Sequence, residues 1–217
     1  MRTERIEQWA AWEQIFARFL EQESEADAAH DTAHIERVVA NAKKLAGEEN
    51  ARLEIVVPAA WLHDCVTVAK NSVERPMASR LAAEKAEIFL RQTGYPEATI
   101  PDIVHAIAAH SFSAQIEPET LEARVVQDAD RLDAIGAIGI ARCFLVGGAL
   151  STRLYDSDDP FAESRPADDT AFVVDHFYVK LLKLAQTMTT TAGKEEAVRR
   201  TVFMQQYLDQ LRREILE

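Results

Sequence analysis

The stretch Ala59-Ala60-Trp61-Leu62-His63-Asp64 lies in a predicted helix, residues 52–68, whose other residues are nearly all apolar. An apolar helix belongs in the protein core, and an imidazole and a carboxylate buried there cost several kcal/mol unless something compensates. A divalent metal ion compensates, because it accepts the imidazole lone pair and balances the carboxylate charge. The stretch therefore predicts a central helix that carries metal ligands.

The rest of the chain repeats the helical spacing of apolar residues. Further helices are predicted at about 4–22, 31–47, 76–92, 99–110, 118–150, 170–191 and 194–215. The polar segments 69–75 and 151–169 are predicted loops, the second of them mobile because it is acidic and contains prolines. No strand pattern is evident, so the predicted fold class is all-α, a single-domain helical bundle over residues 1–217.

Composition narrows the classes of function. The chain has 217 residues, 47% of them hydrophobic, and a formal net charge of −12. This charge argues against bulk nucleic acid and anionic membranes as partners, whereas a small anionic substrate needs only a local positive pocket. With two cysteines and no apolar segment long enough to span a bilayer, a cytoplasmic protein is expected. Homo-oligomerisation is left open.

Two further residues complete a candidate metal site. His34 lies in the first turn of the second predicted helix, and Asp130 lies in the acidic run Asp128-Ala129-Asp130-Arg131-Leu132-Asp133. Together with His63 and Asp64 they supply two imidazoles and two carboxylates from three segments. Helical bundles commonly build metal sites from side chains on facing helices.

Five segments together resemble the HD superfamily of metal-dependent phosphohydrolases, in particular its small bacterial stand-alone members. They are His30–Val38, Leu62–Asp64, His110–Ser113, Asp128–Ala137 and His176–Leu184. The resemblance covers roughly residues 28–150 and continues toward the C-terminus. It implies a single HD-type domain with its core at 28–150 and the C-terminal helices 170–215 packing on that core.

The resemblance also implies roles for the candidate ligands. His34, His63, Asp64 and Asp130 match the family's metal ligands, and the choice of Asp130 over its acidic neighbours rests on the Ala-Asp-Arg-Leu match. The implied cofactor is a divalent metal ion (Mn, Mg, Fe, Co or Zn), and Asp64 would also orient the attacking water. The implied reaction is hydrolysis of a phosphate ester or anhydride in a small phosphorylated substrate, in particular a nucleotide. A nucleoside triphosphate cut to monophosphate and pyrophosphate is one such substrate.

Other side chains are candidates for substrate contacts. His110 matches a family position and is a candidate catalytic residue, as a proton donor, phosphate contact or second metal ligand. The candidate substrate-binding residues are Lys70, Asn71, Arg80, His105 and Lys180. Cys65-Val66-Thr67 stands where the family's stringent-response branch has a Glu-Asp pair, which argues against alarmone hydrolysis.

Two alternatives from other classes remain at this point. One is a non-catalytic regulator that binds a metal or nucleotide on the same fold, against which the intact ligand set argues. The other is a metal-dependent oxygenase, which needs more ligands than four; His105 and His110 are the candidates.

Overall fold

The computed structural model describes residues 2–26, 32–66, 68 and 75–216, and within these ranges it is helical without a strand. The α-helices are α1 (Arg2–Ala26), α2 (Thr32–Glu49), α3 (Leu53–Leu62), α4 (Ala78–Gln92), α5 (Ile100–Ala109), α6 (Leu121–Asp133), α7 (Gly136–Ala149), α8 (Asp175–Val179) and α9 (Thr191–Leu216). Short 3-10 helices lie at Arg75–Met77, Glu97–Thr99, Phe112–Ala114 and Leu181–Thr187. The all-α prediction is confirmed.

The chain forms two compact units, Met1–Asp130 and Arg131–Glu217. In the first unit α3 is central: it contacts α1, α2, α4 and α5, and most of its residues are buried. In the second unit α9 contacts α7 and the 3-10 helix Leu181–Thr187. The prediction that the C-terminal helices pack on a core at 28–150 stays a prediction.

The central helix α3 contains a proline, whose missing N–H is compensated from outside the helix. Pro58 cannot donate to the carbonyl four residues earlier, that of Glu54. The hydroxyl of Tyr95, from the α4–α5 connection, donates to that carbonyl at 2.8 Å. Burial raises the pKa of Tyr95, so the hydroxyl keeps the proton that it donates. Tyr95 therefore has a structural role in the first unit.

Replacing Tyr95 by phenylalanine is expected to lower the free energy of unfolding by about 1–3 kcal/mol, because the Glu54 carbonyl loses its donor. The cost should shrink in a Pro58→Ala background, since alanine restores the backbone N–H that bonds the same carbonyl. Urea unfolding of the four proteins measures this coupling. Equal costs of Tyr95→Phe in both backgrounds would show that the hydroxyl does not compensate for the proline.

The predicted long helix 118–150 is wrong, because the chain turns between α6 and α7. Ile135 is extended, with φ −129° and ψ 168°, and Gly136 has φ +77°, a backbone conformation that side chains disfavour. Gly139 is also required by packing: a Cβ there would lie 2.3 Å from the carbonyl oxygen of Ala134. Helical periodicity continues across this turn, so the apolar pattern did not indicate it.

The predicted helix 170–191 is also wrong. It is replaced by α8 and a 3-10 helix, which meet at Lys180, where φ is −130° and ψ is −60°. The preceding acidic segment is not a featureless loop. Asp159 accepts backbone N–H bonds from Glu163, Ser164 and Arg165 at 2.8–3.2 Å. These backbone N–H groups give the Asp159 carboxylate local donors, and the mobility of the segment stays a prediction.

Within the described ranges, no single helix is long and apolar enough to cross a membrane, although the bent pair α6 and α7 together passes that test of length and composition. Cys65 and Cys143 are both free thiols. Burial raises their pKa values to about 12 and about 11 respectively, and each thiol contacts a backbone carbonyl, that of Ala82 and that of Val173. Both therefore serve packing.

Candidate metal centre and active site

The His63-Asp64 pair lies just beyond the carboxyl end of α3. The sequence predicted a helix through residue 68, but α3 ends at Leu62 and a turn follows at once. Two neighbours inside a helix project about 100° apart. At the end of α3, where His63 still has helical backbone angles, an oxygen of Asp64 lies 3.7 Å from His63 Nε2.

His63 is fully buried and presents one ring nitrogen without a partner. Its Nδ1 lies 2.8 Å from the carbonyl oxygen of Ala60 and donates to it, so Nε2 carries the lone pair. Nε2 is buried and has no hydrogen-bond partner among the described residues. An unsatisfied buried acceptor costs about 1–3 kcal/mol. A ring held through Nδ1 by a backbone carbonyl, with Nε2 left over, is the usual arrangement of a metal-binding histidine.

His110 repeats this arrangement at the end of α5. Its Nδ1 lies 2.6 Å from the carbonyl oxygen of Ile107, and its Nε2 faces Asp64 Oδ1 at 3.5 Å. The rings of His63 and His110 are 4.8 Å apart and nearly perpendicular. Both histidines stand directly after the last residue of a helix. Helix carboxyl ends carry partial negative charge, so two of them at one place favour a cation.

His34 and Asp130 close the other side of the cluster. His34 Nε2 lies 3.5 Å from Asp130 Oδ1 and 4.0 Å from Asp64 Oδ2. Asp130 Oδ1 is also 3.9 Å from His63 Nε2. All these residues belong to the first unit, and they come from α2, the end of α3, the end of α5 and α6.

The donor atoms are spaced as they would be around one ion. Ligand atoms each about 2.1 Å from a metal lie about 3.0–4.2 Å apart, depending on the angle between them. The distances given above run from 3.5 to 4.0 Å. Two sets of potential ligands emerge, His34, His63 and Asp130, and His63, Asp64 and His110. They share His63, which has only Nε2 to offer, so they describe one centre.

Charges in the cluster suit a bound cation. Burial lowers the pKa of His63, and the neighbouring imidazoles lower it further, so the ring stays neutral and its lone pair available. Burial raises the pKa of Asp64, but the surrounding imidazoles, in particular the hydrogen bond and the charge of His110, outweigh it and hold that pKa well below its ordinary range. Burial also lowers the pKa of His110, but Asp64 more than reverses this and raises it. Nitrogen and carboxylate donors together suit Mn, Fe, Co or Zn better than Mg.

The imidazoles form the floor of the cluster and the carboxylates its open side. The side chain of His63 is 0% exposed, whereas that of Asp64 is 53% exposed and that of Asp130 is 30% exposed. Solvent and a small substrate can therefore reach the carboxylates directly.

Comparison with known proteins places this cluster in a family. Residues 32–135, which contain all five side chains, match the model of the HD domain. The chain is 36% identical over 191 residues to the protein YpgQ of Bacillus subtilis (strain 168), which covers 86% of this chain and 84% of YpgQ. The chain belongs to the HD family. The predicted resemblance is thereby confirmed.

Solved structures of HD proteins share the whole fold. A crystal structure of an HD-superfamily hydrolase from Bacillus thuringiensis superposes with a TM-score of 0.74 at 34% identity, covering 99% of this chain and 98% of that one. Bacillus subtilis YpgQ in complex with ADP superposes with a TM-score of 0.69 at 33% identity, covering 93% and 95%.

The structure separates the acids of α6. Asp128 and Asp133 are both fully buried, and Asp133 is paired with Arg142 of α7. Only Asp130 of the three joins a potential ligand set in the described part of the chain. The sequence choice of Asp130 rested on a motif match, and this geometry agrees with it.

Three of the five predicted substrate residues lie in the described part of the chain. His105 lies about 140° around α5 from His110, and its Nε2 accepts a hydrogen bond from the backbone N–H of Glu119 at 3.0 Å. The role of His105 as a substrate contact stays a prediction, although this ring nitrogen is already engaged by Glu119. Arg80 is exposed on α4, and Lys180 is exposed in the second unit, where it ends α8. Lys70 and Asn71 lie outside the described residues.

Two buried polar residues bond to the end of α5, and sequence reasoning missed one of them, Gln127. Gln127, on α6, donates to the carbonyl of Ala109 at 2.8 Å, and the hydroxyl of Ser79, on α4, donates to that of Ala108 at 2.9 Å. Gln127 lies three residues before Asp130, at the start of a polar run in the sequence. Its burial is known only from the structure, so the sequence carried no signal for it.

Proposed function

We propose that this HD protein is a divalent-metal-dependent phosphohydrolase that acts on a nucleotide. The observation that carries the proposal is the buried His63 Nε2, which lacks a hydrogen-bond partner and lies 3.7 Å and 3.9 Å from carboxylate oxygens of Asp64 and Asp130. His34, His63, Asp64 and Asp130 would hold the ion, which supplies Lewis-acid activation of water and of a phosphoryl group.

The chain's own residues supply the remaining chemistry. Asp64 turns one oxygen toward His34 and His63 and the other toward His110. Its depressed pKa keeps the carboxylate ionised, so it can orient an attacking water through a hydrogen bond. The raised pKa of His110 favours a protonated ring, which can donate to a phosphoryl or leaving-group oxygen.

Two findings support a nucleotide as substrate. YpgQ, which shares 36% identity with this chain, has been crystallised in complex with ADP. The exposed carboxylates open the site to a small molecule, and a bound divalent ion would let a site beside Asp64 and Asp130 accept an anionic phosphate despite the net charge of −12. A nucleoside triphosphate cut to monophosphate and pyrophosphate remains the expected substrate, in a cytoplasmic setting.

The oxygenase alternative loses one of its two candidate further ligands. These were His105 and His110, and His105 instead accepts a hydrogen bond from the backbone N–H of Glu119 on another face of α5. The intact ligand set continues to favour an enzyme over a non-catalytic regulator.

A substrate screen tests the proposal. Purified protein is stripped of metal, reloaded separately with Mn, Co and Mg, and offered ribo- and deoxyribonucleoside tri-, di- and monophosphates, with phosphate and pyrophosphate measured separately. We expect release from at least one nucleotide, greater with Mn or Co than with Mg because imidazole is a poor ligand for Mg. No release from any nucleotide with any of the three metals would contradict the proposal.

A further inference from the structure

The carboxyl end of α5 is held by three side chains on consecutive carbonyls. The last carbonyls of a helix have no partner within it and need donors from elsewhere. Here the carbonyl of Ile107 accepts a hydrogen bond from His110 Nδ1 at 2.6 Å. The carbonyl of Ala108 accepts one from Ser79 Oγ at 2.9 Å, and that of Ala109 accepts one from Gln127 Nε2 at 2.8 Å. Ser79 and Gln127 come from α4 and α6, so both neighbouring helices fix this end.

Of the two bonds that other helices make to this end of α5, the Gln127 bond is the nearer to His110 along the chain. Ala109 is the last residue of α5, and its carbonyl belongs to the peptide group that leads into His110. Gln127 is buried, with 4% of its surface exposed, so no solvent replaces its amide if it is removed. A small rotation of this peptide group would move the imidazole, whose Nε2 faces Asp64 Oδ1 at 3.5 Å.

We propose that Gln127 is a positioning residue: its amide fixes the peptide group of Ala109 and thereby holds the His110 imidazole opposite Asp64. Gln127 also stands one helical turn before Asp130 on α6. The same side chain therefore ties the α5 end that carries His110 to the helix that carries Asp130. This inference rests on the proposed function, in which His110 takes part in catalysis.

A double-mutant cycle on turnover tests the proposal. Gln127→Leu and Gln127→Met both remove the amide donor. The flexible methionine side chain fits the space of glutamine, so Gln127→Met serves if the Gln127→Leu protein does not fold. Misplacing a catalytic group by about 1 Å costs up to about a hundredfold in rate. We expect kcat to fall about ten- to a hundredfold with little change in KM, and no further fall in a His110→Ala background. If a Gln127 substitution lowers kcat by the same factor in the wild-type and the His110→Ala backgrounds, the proposal is overturned.

The matched control is Thr93→Val. Thr93 Oγ1 donates to the carbonyls of Phe89 and Leu90 at the carboxyl end of α4, at 2.9 and 3.1 Å, in the same unit. Its loss removes a comparable side-chain bond to helix-end carbonyls, so it is expected to lower stability but leave kcat unchanged. A fall in kcat equal to that of Gln127→Met would show a general effect of stability and overturn the proposal.

A second measurement does not depend on activity. Nuclear magnetic resonance of 15N-labelled histidine rings in the metal-free protein is expected to show shifted His110 resonances in Gln127→Met and unchanged ones in Thr93→Val. Unchanged His110 resonances in Gln127→Met would overturn the positioning role. If the protein releases phosphate from no nucleotide but the His110 resonances shift, the proposed function fails while the placement of His110 by Gln127 stands.

Discussion

Replacing Asp64 by alanine is expected to abolish phosphate release and to weaken metal binding by more than about a hundredfold, the upper end of what loss of a supporting group around a ligand costs. Asp64 contributes one oxygen to the ligand cluster and the other to His110, so both functions are lost together. Its side chain is half exposed, and its removal leaves no cavity in the core. The variant should therefore fold.

Metal-dependent stability provides the measurement for Asp64→Ala. A ligand at a thousand times its Kd stabilises a folded protein by about 4 kcal/mol. Wild type should gain about that much in urea unfolding with saturating Mn, and Asp64→Ala much less. Glu84→Ala, which removes an exposed carboxylate on α4, is the control and should behave as wild type. An unchanged metal-dependent gain in Asp64→Ala would remove Asp64 from the ligand set.

Replacing His110 by alanine is expected to lower kcat by about a hundredfold or more while metal content stays close to that of wild type. A positioned proton donor contributes about 10²–10⁴ in rate, and the ring of His110 faces Asp64 with a raised pKa. The four proposed ligands, His34, His63, Asp64 and Asp130, would remain to hold the ion.

The control for His110→Ala is His105→Ala, an imidazole of the same helix that contacts Glu119 instead. It should retain wild-type kcat. Metal content is measured by mass spectrometry, and initial rates are measured on the nucleotide that the wild type hydrolyses fastest. Together they distinguish a proton-donor role of His110 from a metal-ligand role. Loss of metal together with activity in His110→Ala would make His110 a ligand, contrary to the donor role proposed here.

The sequence was most informative where chemistry conflicts with burial. His63 and Asp64 stand at the end of a helix that is otherwise apolar, and this conflict indicated a metal site before any geometry was known. The all-helical fold was predictable from the helical spacing of apolar residues, because a helix in a folded protein must bury one apolar face. His34 and Asp130 needed the motif match, since a lone histidine or one acid among three carries no comparable conflict.

The sequence was least informative where a single backbone angle or hydrogen bond decides where a helix ends or which way a side chain points. The positive φ of Gly136 breaks an apolar pattern that continues through it. His105 and His110 are alike by residue type and only His110 has a motif match, while the direction of each ring is visible only in the structure. Gln127 reveals its contact with the Ala109 carbonyl only when α5 and α6 are packed together.

The most direct test of the central claim is the position of bound metal. Crystals of the protein are soaked in Mn and a non-hydrolysable nucleoside triphosphate, and the metal is located by anomalous scattering. We predict a peak about 2.0–2.3 Å from His63 Nε2, also within bonding distance of His34, Asp64 and Asp130, with a phosphate oxygen of the nucleotide beside it. A His63 Nε2 without metal at saturating Mn, or a nucleotide bound elsewhere, would contradict it.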